Sequence, residues 1–247
     1  MGEPASTRAE QVRTLFDVKA TTWSAKYAPH GPLAGRLTRL ATAVSDHVPV
    51  GGTVLDLGCG TGELARHLAA SGLLVAGCDI SPQMLAHASA AGPGGHVRWV
   101  RLDPGWRTLP LRPASVDAVV AASVLEYVAH PQGVLQECAR VLRPGGVALC
   151  TVPDPAHPVR WLEQLAIPAA RSPLGYVASD RWPRLQHYVT YLQISRQRRT
   201  ADWWSAVAAR AGLTTIPPPA VGAERAPLRL LTFQRPRHDP DPTMEPR

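Results

Sequence analysis

Val54-Leu-Asp-Leu-Gly-Cys-Gly-Thr-Gly-Glu63, followed by Leu74-Val-Ala-Gly-Cys-Asp79, is the stretch that decides the architecture. It reads as a buried strand, a glycine loop, the start of a helix, and a second buried strand ending in a carboxylate. Gly58, Gly60 and Gly62 allow a sharp turn that brings bare backbone N–H groups close to a ligand. An acid at the tip of the next strand is placed to take the two hydroxyls of a ribose. Together these features predict a site for a nucleoside-containing cofactor.

Outward from this stretch, strand-like and helix-like patterns alternate. Helices are expected over Val12 to Asp17 and Leu33 to Val48, with Pro49 and Gly51-Gly52 stopping the second. A strand over Thr53 to Leu57 precedes a helix from Glu63 to Ser71, and Leu73 to Cys78 is the second strand. Ser81-Pro82 supplies an N-cap and a first-turn proline for a helix through about Ala91. Further strands are expected at Val97 to Leu102, Val116 to Ala121 and Val147 to Val152, with a helix over Pro131 to Leu142. A helix over Thr200 to Ala211, a strand from Thr214 and a last strand over Leu228 to Phe233 complete the pattern. Strands alternating with helices of about ten residues imply parallel βαβ units. The expected fold is therefore α/β: a Rossmann-like, doubly wound, mostly parallel seven-stranded sheet.

The segment from Pro153 to Thr200 breaks this rhythm. It is rich in proline and aromatics and shows one helical stretch, Val159 to Ala166, with no obvious strand. It reads as a lid or substrate insert (153–200) after the fifth strand. The 247 residues then form a single domain, with 1–8 and 235–247 polar, Pro-rich and expected to be disordered.

Composition narrows the function classes. No run of about 18 apolar residues occurs, and Met1 to Arg8 lacks an apolar signal core, so no membrane partner and a cytoplasmic location are expected. Cys59, Cys78, Cys138 and Cys150 fall in or beside apolar segments without CxxC spacing, which fits buried thiols in a reducing compartment and no metal. The net charge of +7 and a pI near 9.7 raise the question of nucleic acid. The cations, however, are nearly all arginine, with lysine only at Lys19 and Lys26, as in the residue bias of a GC-rich genome. The densest run, Arg196-Gln-Arg-Arg199, lacks interleaved aromatics, so nucleic acid is disfavoured as a partner.

The glycine loop itself separates cofactors. A dinucleotide loop is written GxGxxG, whereas here the spacing is Gly58-x-Gly60-x-Gly62 with Asp56 upstream inside the strand. A carboxylate beneath the loop would repel a pyrophosphate and suits a ligand carrying an ammonium group. The amino-acid end of S-adenosylmethionine has that group, and its carboxylate can lie against a helix N-terminus.

On these residues the chain resembles the class I S-adenosylmethionine-dependent methyltransferases, in the ubiquinone-biosynthesis and small-molecule (methyltransferase type 11) branch. Four further segments match in order: Cys78-Asp-Ile-Ser-Pro-Gln-Met84, Leu109-Pro110 with Ser115-Val-Asp-Ala-Val-Val120, Val124-Leu-Glu-Tyr-Val128, and Arg140-Val-Leu-Arg-Pro-Gly-Gly146. The resemblance covers about residues 10 to 152 closely. It implies that Asp56 orients the methionine end of the cofactor and that Gly58 and Gly60 pass beneath it. By the same resemblance Asp79 holds the ribose, Ile80 and Met84 flank the adenine, and Ser123 lines the methionine pocket. Tyr27, in Phe16-Asp-x₅-Trp23-x₃-Tyr27, resembles an N-terminal aromatic that closes over the cofactor; packing of the N-terminal helix is the alternative reading of Trp23 and Tyr27. Two positions depart from the family pattern. The acid expected four residues before Leu109-Pro110 is Gly105, leaving Asp103 as the candidate for the adenine amino group; the usual histidine after Leu125-Glu126 is Tyr127.

Methyl transfer from a sulfonium needs alignment and exclusion of water, and an oxygen or nitrogen acceptor also calls for a general base. His157 is the first candidate, since Val152-Pro-Asp-Pro-Ala-His157 leaves the fifth strand beside the expected site. Asp154, His130, His187, Tyr188 and Tyr191 are the others. No Asp/Asn-Pro-Pro-aromatic segment of the kind that serves DNA-base amines is present. The expected partner is a small-molecule acceptor, methylated at O, N or C, from secondary metabolism. An RNA methyltransferase and a cofactor-binding protein without catalysis are the alternatives, and a nicotinamide oxidoreductase is disfavoured by the loop.

Overall fold

The computed structural model describes residues 5–92, 97–170, 172–174, 177, 183–195, 197–217 and 227–237. The strands are β1 (Thr53–Leu57), β2 (Leu74–Asp79), β3 (Val97–Arg101), β4 (Val116–Ala122), β5 (Leu142–Pro153), β6 (Thr214–Ile216) and β7 (Leu228–Gln234). They form one sheet in the order β3-β2-β1-β4-β5-β7-β6. All pairings are parallel except those of β7, which runs antiparallel to both β5 and β6. The doubly wound, mostly parallel seven-stranded sheet is as expected.

The helices are α1 (Ala5–Trp23), α2 (Ala34–Ser45), α3 (Glu63–Ala70), α4 (Pro82–Ala90), α5 (Pro131–Val141), α6 (Pro158–Ala170), α7 (Pro183–Ile194) and α8 (Ala201–Arg210). Period-two alternation along β4 divides the core. Val119 and Ala121 join α5 and α8 through Leu135, Cys138, Trp204 and Val207. Ala118 and Val120 face the other way, against Leu40 and Val44 of α2 and Leu64 and Leu68 of α3. Both faces of the sheet are thus covered, which is why the central strands are apolar almost throughout.

Local signals account for most element ends. Ser81 caps α4, its Oγ accepting from the Met84 N–H at 3.0 Å, with Pro82 in the first turn. Thr200 caps α8 in the same way, accepting from Trp203 N–H at 3.3 Å. Cys59, Cys78, Cys138 and Cys150 are all buried and free of disulfides.

Four stretches differ from expectation. α1 starts at Ala5 and runs to Trp23, so residues 5–8 are helical rather than a ragged lead-in. Arg8 is buried and donates to the Ile194 carbonyl at 3.0 Å, while Arg13 pairs with Glu10 and Asp17 at 2.7 Å each along the helix. β5 begins five residues early because Leu142 already pairs with Val116, and a register shift before Ala118 absorbs Arg143 to Gly146. At the other end of the chain, Arg235 donates to the carbonyls of Ala139 (3.2 Å) and Leu142 (2.8 Å) and so satisfies the C-terminus of α5. Residues 238–247 lie outside the described residues, as do 1–4.

The fourth difference is in the insert, which contains a second helix, α7, beside α6. α6 is turned inside out relative to an ordinary surface helix. Arg160 and Glu163 are buried, whereas Trp161, Leu162 and Leu165 are exposed. Pairing makes this tolerable: Glu163 accepts from Arg160 at 2.8 Å and from Arg198 at 2.5 Å. Among the described residues no helix is long and apolar enough to cross a membrane.

Candidate cofactor and acceptor cavity

The strand order reverses between β1 and β4, whose neighbours lead away to opposite edges. Helices following these two strands cover opposite faces and leave a crevice at the strands' carboxyl ends. A cavity of about 1150 Å³ opens there. Its floor is the β1 end and glycine loop, one wall is the β2 end with α4, and the opposite wall is the β4 end. α1, α2, α6 and α7 cover it.

The glycine loop takes left-handed backbone at three positions, with φ of +71° at Gly58, +55° at Gly60 and +80° at Gly62. A Cβ on Gly58 would stand 2.4 Å from Val124 Cγ2, and one on Gly62 would stand 2.4 Å from the Trp99 ring. The loop is therefore locked between β4 and β3. Its N–H groups are less bare than the spacing suggested. Gly58 and Cys59 donate to the Cys78 carbonyl at 2.7 and 3.0 Å, Gly62 donates to Cys59, and Gly60 donates to the Asp79 carboxylate at 2.8 Å. What the glycines provide here is close approach of a ligand to the backbone.

Asp56, at the end of β1, is buried, and its Oδ2 has no hydrogen-bond partner. Burial, and then the neighbouring Asp79 carboxylate, push its carboxyl up to about 7, against the pull of Arg36. Arg36 of α2 is also buried: one guanidinium nitrogen donates to Ser123 Oγ at 3.0 Å and Thr151 Oγ1 at 2.8 Å, while Nε is unpartnered. A buried acceptor and a buried donor without partners lie in the lining of one cavity. They suit the ammonium and carboxylate of an amino acid. Ser123 itself sits at φ +60°, a strained conformation for a residue with a side chain, at the point where β4 enters the site.

Asp79 is buried at the tip of β2, with Oδ1 accepting from Ser81 N–H and Oδ2 from Gly60 N–H, each at 2.8 Å. Burial raises its carboxyl while these backbone donors lower it. Each oxygen retains a further lone pair for a hydroxyl donor. Ile80, Met84 and Trp106 supply apolar lining beside it. Tyr27 and Trp23 also line the cavity, and the Trp23 indole nitrogen stands 3.2 Å from where a Gly60 Cβ would be. Phe16 meets the rings of Trp23 and Tyr127 edge-on at 5.5 and 5.4 Å.

Of the residues singled out from sequence, Tyr27, Asp56, Gly58, Gly60, Asp79, Ile80, Met84 and Ser123 converge on this cavity. Asp103 does not. Gly105, at φ +76°, closes a turn in which Trp106 N–H donates to the Asp103 carbonyl at 3.0 Å. That turn leaves Asp103 exposed and directs Trp106 inward, so an indole stands where a carboxylate was expected. His157 is likewise outside the lining. It caps α6, its carbonyl accepting from Arg160 N–H at 2.8 Å and its Nδ1 from Val159 N–H at 3.3 Å. Asp154 is drawn off toward Arg229, 3.3 Å away. His130, Tyr188 and Tyr191 do line the cavity; the side chain of His187 lies outside the described residues.

Several lining residues were not singled out: Arg36, Glu126, Arg160, Glu163 and Trp106. Glu126 is fully buried and accepts from Ser195 Oγ at 2.6 Å. Burial raises its carboxyl against that hydrogen bond and against Arg160, Arg198 and Arg36. Among the described residues no cluster of three or more His, Cys, Asp or Glu is placed to hold a metal ion.

Residues 55–150, which carry this floor and both walls, match the family model described as a methyltransferase domain. Over 133 residues the chain is 32% identical to the ubiquinone biosynthesis O-methyltransferase of Xylella fastidiosa (strain 9a5c), covering 53% of this chain and 54% of that protein. Over 117 residues it is 39% identical to the demethylmenaquinone methyltransferase of Tropheryma whipplei (strain Twist), covering 47% and 46%. The chain thus spans about half the length of the curated relatives it matches. Among solved structures, the magnesium protoporphyrin IX methyltransferase of Synechocystis PCC 6803, determined with bound SAH, shares the fold. It superposes with a TM-score of 0.66 at 16% identity, over 91% of this chain and 98% of that one. The matched residues hold the glycine-loop half of the cavity, and α1, α2, α6 and α7 lie outside them.

Proposed function

We propose that the protein transfers a methyl group from S-adenosylmethionine to an oxygen, nitrogen or carbon atom of a small metabolite, one from secondary metabolism in the finest form of this reading. The observation that carries the proposal is the buried, unpartnered Asp56 oxygen in the same cavity as the buried, unpartnered Arg36 Nε, with Asp79 at the next strand end. Asp56 would hold the α-ammonium, Arg36 the carboxylate and Asp79 the ribose hydroxyls. Ile80, Met84 and Trp106 would flank the adenine, and Trp23 and Tyr27 would cover the loop. The names of the curated relatives support a small-molecule acceptor.

When bound, the cofactor supplies an electrophilic methyl on a sulfonium, ready for in-line displacement. The residues of this chain supply the rest. The Phe16, Tyr127 and Tyr191 rings exclude water and orient an acceptor. Where the acceptor must lose a proton, His130 is the histidine that lines the cavity among the described residues, and no proton-transfer role is assigned to His157. A cytoplasmic site of action is supported by the four buried free thiols.

Calorimetric titration with S-adenosylhomocysteine and with NAD tests the cofactor assignment. Binding of the first and not the second is expected, and the reverse would refute it. Transfer of labelled methyl from S-adenosylmethionine into a metabolite panel then tests catalysis. Transfer into structured RNA instead would replace the small-molecule acceptor with the nucleic-acid alternative.

A further inference from the structure

One face of α1 enters the cavity. Val12, Phe16, Lys19 and Trp23 follow one another at steps of three and four residues, and Lys26 continues on the 3-10 turn Ser24–Tyr27. Lys19 and Lys26 are the only lysines in a chain whose other Lys/Arg positions, of 26, are all arginine. Both line this cavity. Among the described residues neither ammonium has a hydrogen bond or an ion pair. Lys19 Nζ lies 5.8 Å from the centre of the Phe16 ring and Lys26 Nζ lies 3.9 Å from that of Trp23. The arginines Arg36 and Arg160 differ, since both are tied to protein acceptors in the same lining.

The charge of Lys26 bears on Lys19. Burial, and then the charge of Lys26, bring Lys19 down to about 8. Glu126 pulls the other way, but its carboxylate already takes the Ser195 hydroxyl and faces Arg160, Arg198 and Arg36. Lys19, beside Phe16, lies on the acceptor side, where Phe16, Tyr127 and Tyr191 form a chain of edge contacts, and Lys26, over Trp23, lies where the two halves meet. Two half-buried like charges, with the Glu126 carboxylate already engaged by Ser195, favour an added anion. Ammonium groups, as compact point charges with rotatable donors, adapt to single carboxylate or phosphate oxygens.

We propose that Lys19 and Lys26 receive an anionic group, a carboxylate or phosphate, on a ring-bearing methyl acceptor. The proposal rests on the methyltransferase reading above and narrows its substrate class.

A matched pair of aldehydes tests it: 4-formylbenzoate and 4-formylbenzamide share ring and reacting group and differ in charge. Each is offered to the full chain with cyanoborohydride, and labelled lysines are located by peptide mass spectrometry, with rates scaled to those of a free lysine amide. The benzoate is expected to label Lys19 or Lys26 about tenfold faster than the benzamide, a ratio typical of one charge-assisted hydrogen bond. Benzoate or phenyl phosphate should slow the labelling and benzamide should not. In Lys19→Met and Lys26→Met, each checked for retained S-adenosylhomocysteine affinity, the ratio should fall to about one. Equal labelling by the two aldehydes overturns the proposal. So does complete protection by S-adenosylhomocysteine alone, which would place the lysines at the cofactor. Failure to bind S-adenosylhomocysteine, with the charge preference intact, would instead sink the methyltransferase reading and leave the anion site standing.

Discussion

The two halves of the cavity are built in opposite ways. The centre of the cofactor half comes from one short run of chain: β1, the glycine loop, α3 and β2 supply Asp56, the three glycines and Asp79 within 24 residues of sequence, and Arg36, Trp23, Tyr27 and Trp106 are added around it. The acceptor half is stitched together from distant segments. Arg8 reaches the Ile194 carbonyl across 186 positions, and Ser195 reaches Glu126 across 69. A local site is held by backbone conformation, whereas a long-range site is held by side-chain contacts formed only after the chain has folded. The first should fail through strain and the second through lost partners.

The largest effect is expected where strain is greatest. Gly62→Ala puts a Cβ 2.4 Å from the Trp99 ring at a backbone φ of +80°. It should lower the unfolding free energy by about 3 kcal/mol in urea and abolish S-adenosylhomocysteine binding. Asp79→Ala removes the acceptor of both the Gly60 and Ser81 N–H groups. Calorimetry should show affinity for S-adenosylhomocysteine about 100-fold weaker. A Kd within threefold of the parent would show that Asp79 does not carry the cofactor half.

Ser195→Ala probes the acceptor half by stripping Glu126 of its hydroxyl donor. Stability should fall by about 2 kcal/mol with S-adenosylhomocysteine affinity unchanged. A large change in that affinity would merge the two halves into one cooperative unit.

Proton linkage gives a further contrast. The Asp56 carboxyl sits at about 7 in the folded protein, above its ordinary value of 3.8, with Asp79, Arg36 and Glu63 as its charged neighbours. Its protonated form contributes stability that is complete below about pH 4 and is lost as pH rises through 7. An ammonium ligand favours the ionised form, so affinity for S-adenosylhomocysteine should rise by up to about tenfold per unit between pH 5.5 and 7. Asp56→Asn should flatten that rise; a slope that survives would be assigned to Asp79, which burial also raises. The smallest effect belongs to His157→Ala. Loss of the α6 cap should cost about 0.5 kcal/mol, with cofactor affinity and turnover intact. A collapse of turnover alone would return His157 to the site.

The same division explains what could be read from the chain. β1 from Thr53 to Leu57, the loop and the Ser81 cap are legible because each depends on residues within a few positions. Arg36 was missed because its partners Ser123 and Thr151 lie 87 and 115 residues away, beyond any spacing rule. Asp103 stands outside the lining because a single left-handed glycine, Gly105, decides which side chain of its turn faces inward. α7 was missed because it gains its order from contact with α1 and α6, and α6 itself buries charge where periodicity expects apolar residues. The face of α1 that carries Val12, Phe16, Lys19 and Trp23 was written in helical spacing, but only a longer helix than the pattern suggested reveals it.

Asp79 grips the glycine loop through Gly60 and the start of α4 through Ser81 before any ligand arrives. The ordering entropy of that corner is thus spent during folding, not during binding. A rigid, ready-made corner contributes to affinity by what it does not have to lose, and it leaves association free of a slow loop rearrangement. Binding to this half should therefore look like docking onto a fixed surface, with rates set by diffusion and access past α1 rather than by a conformational step.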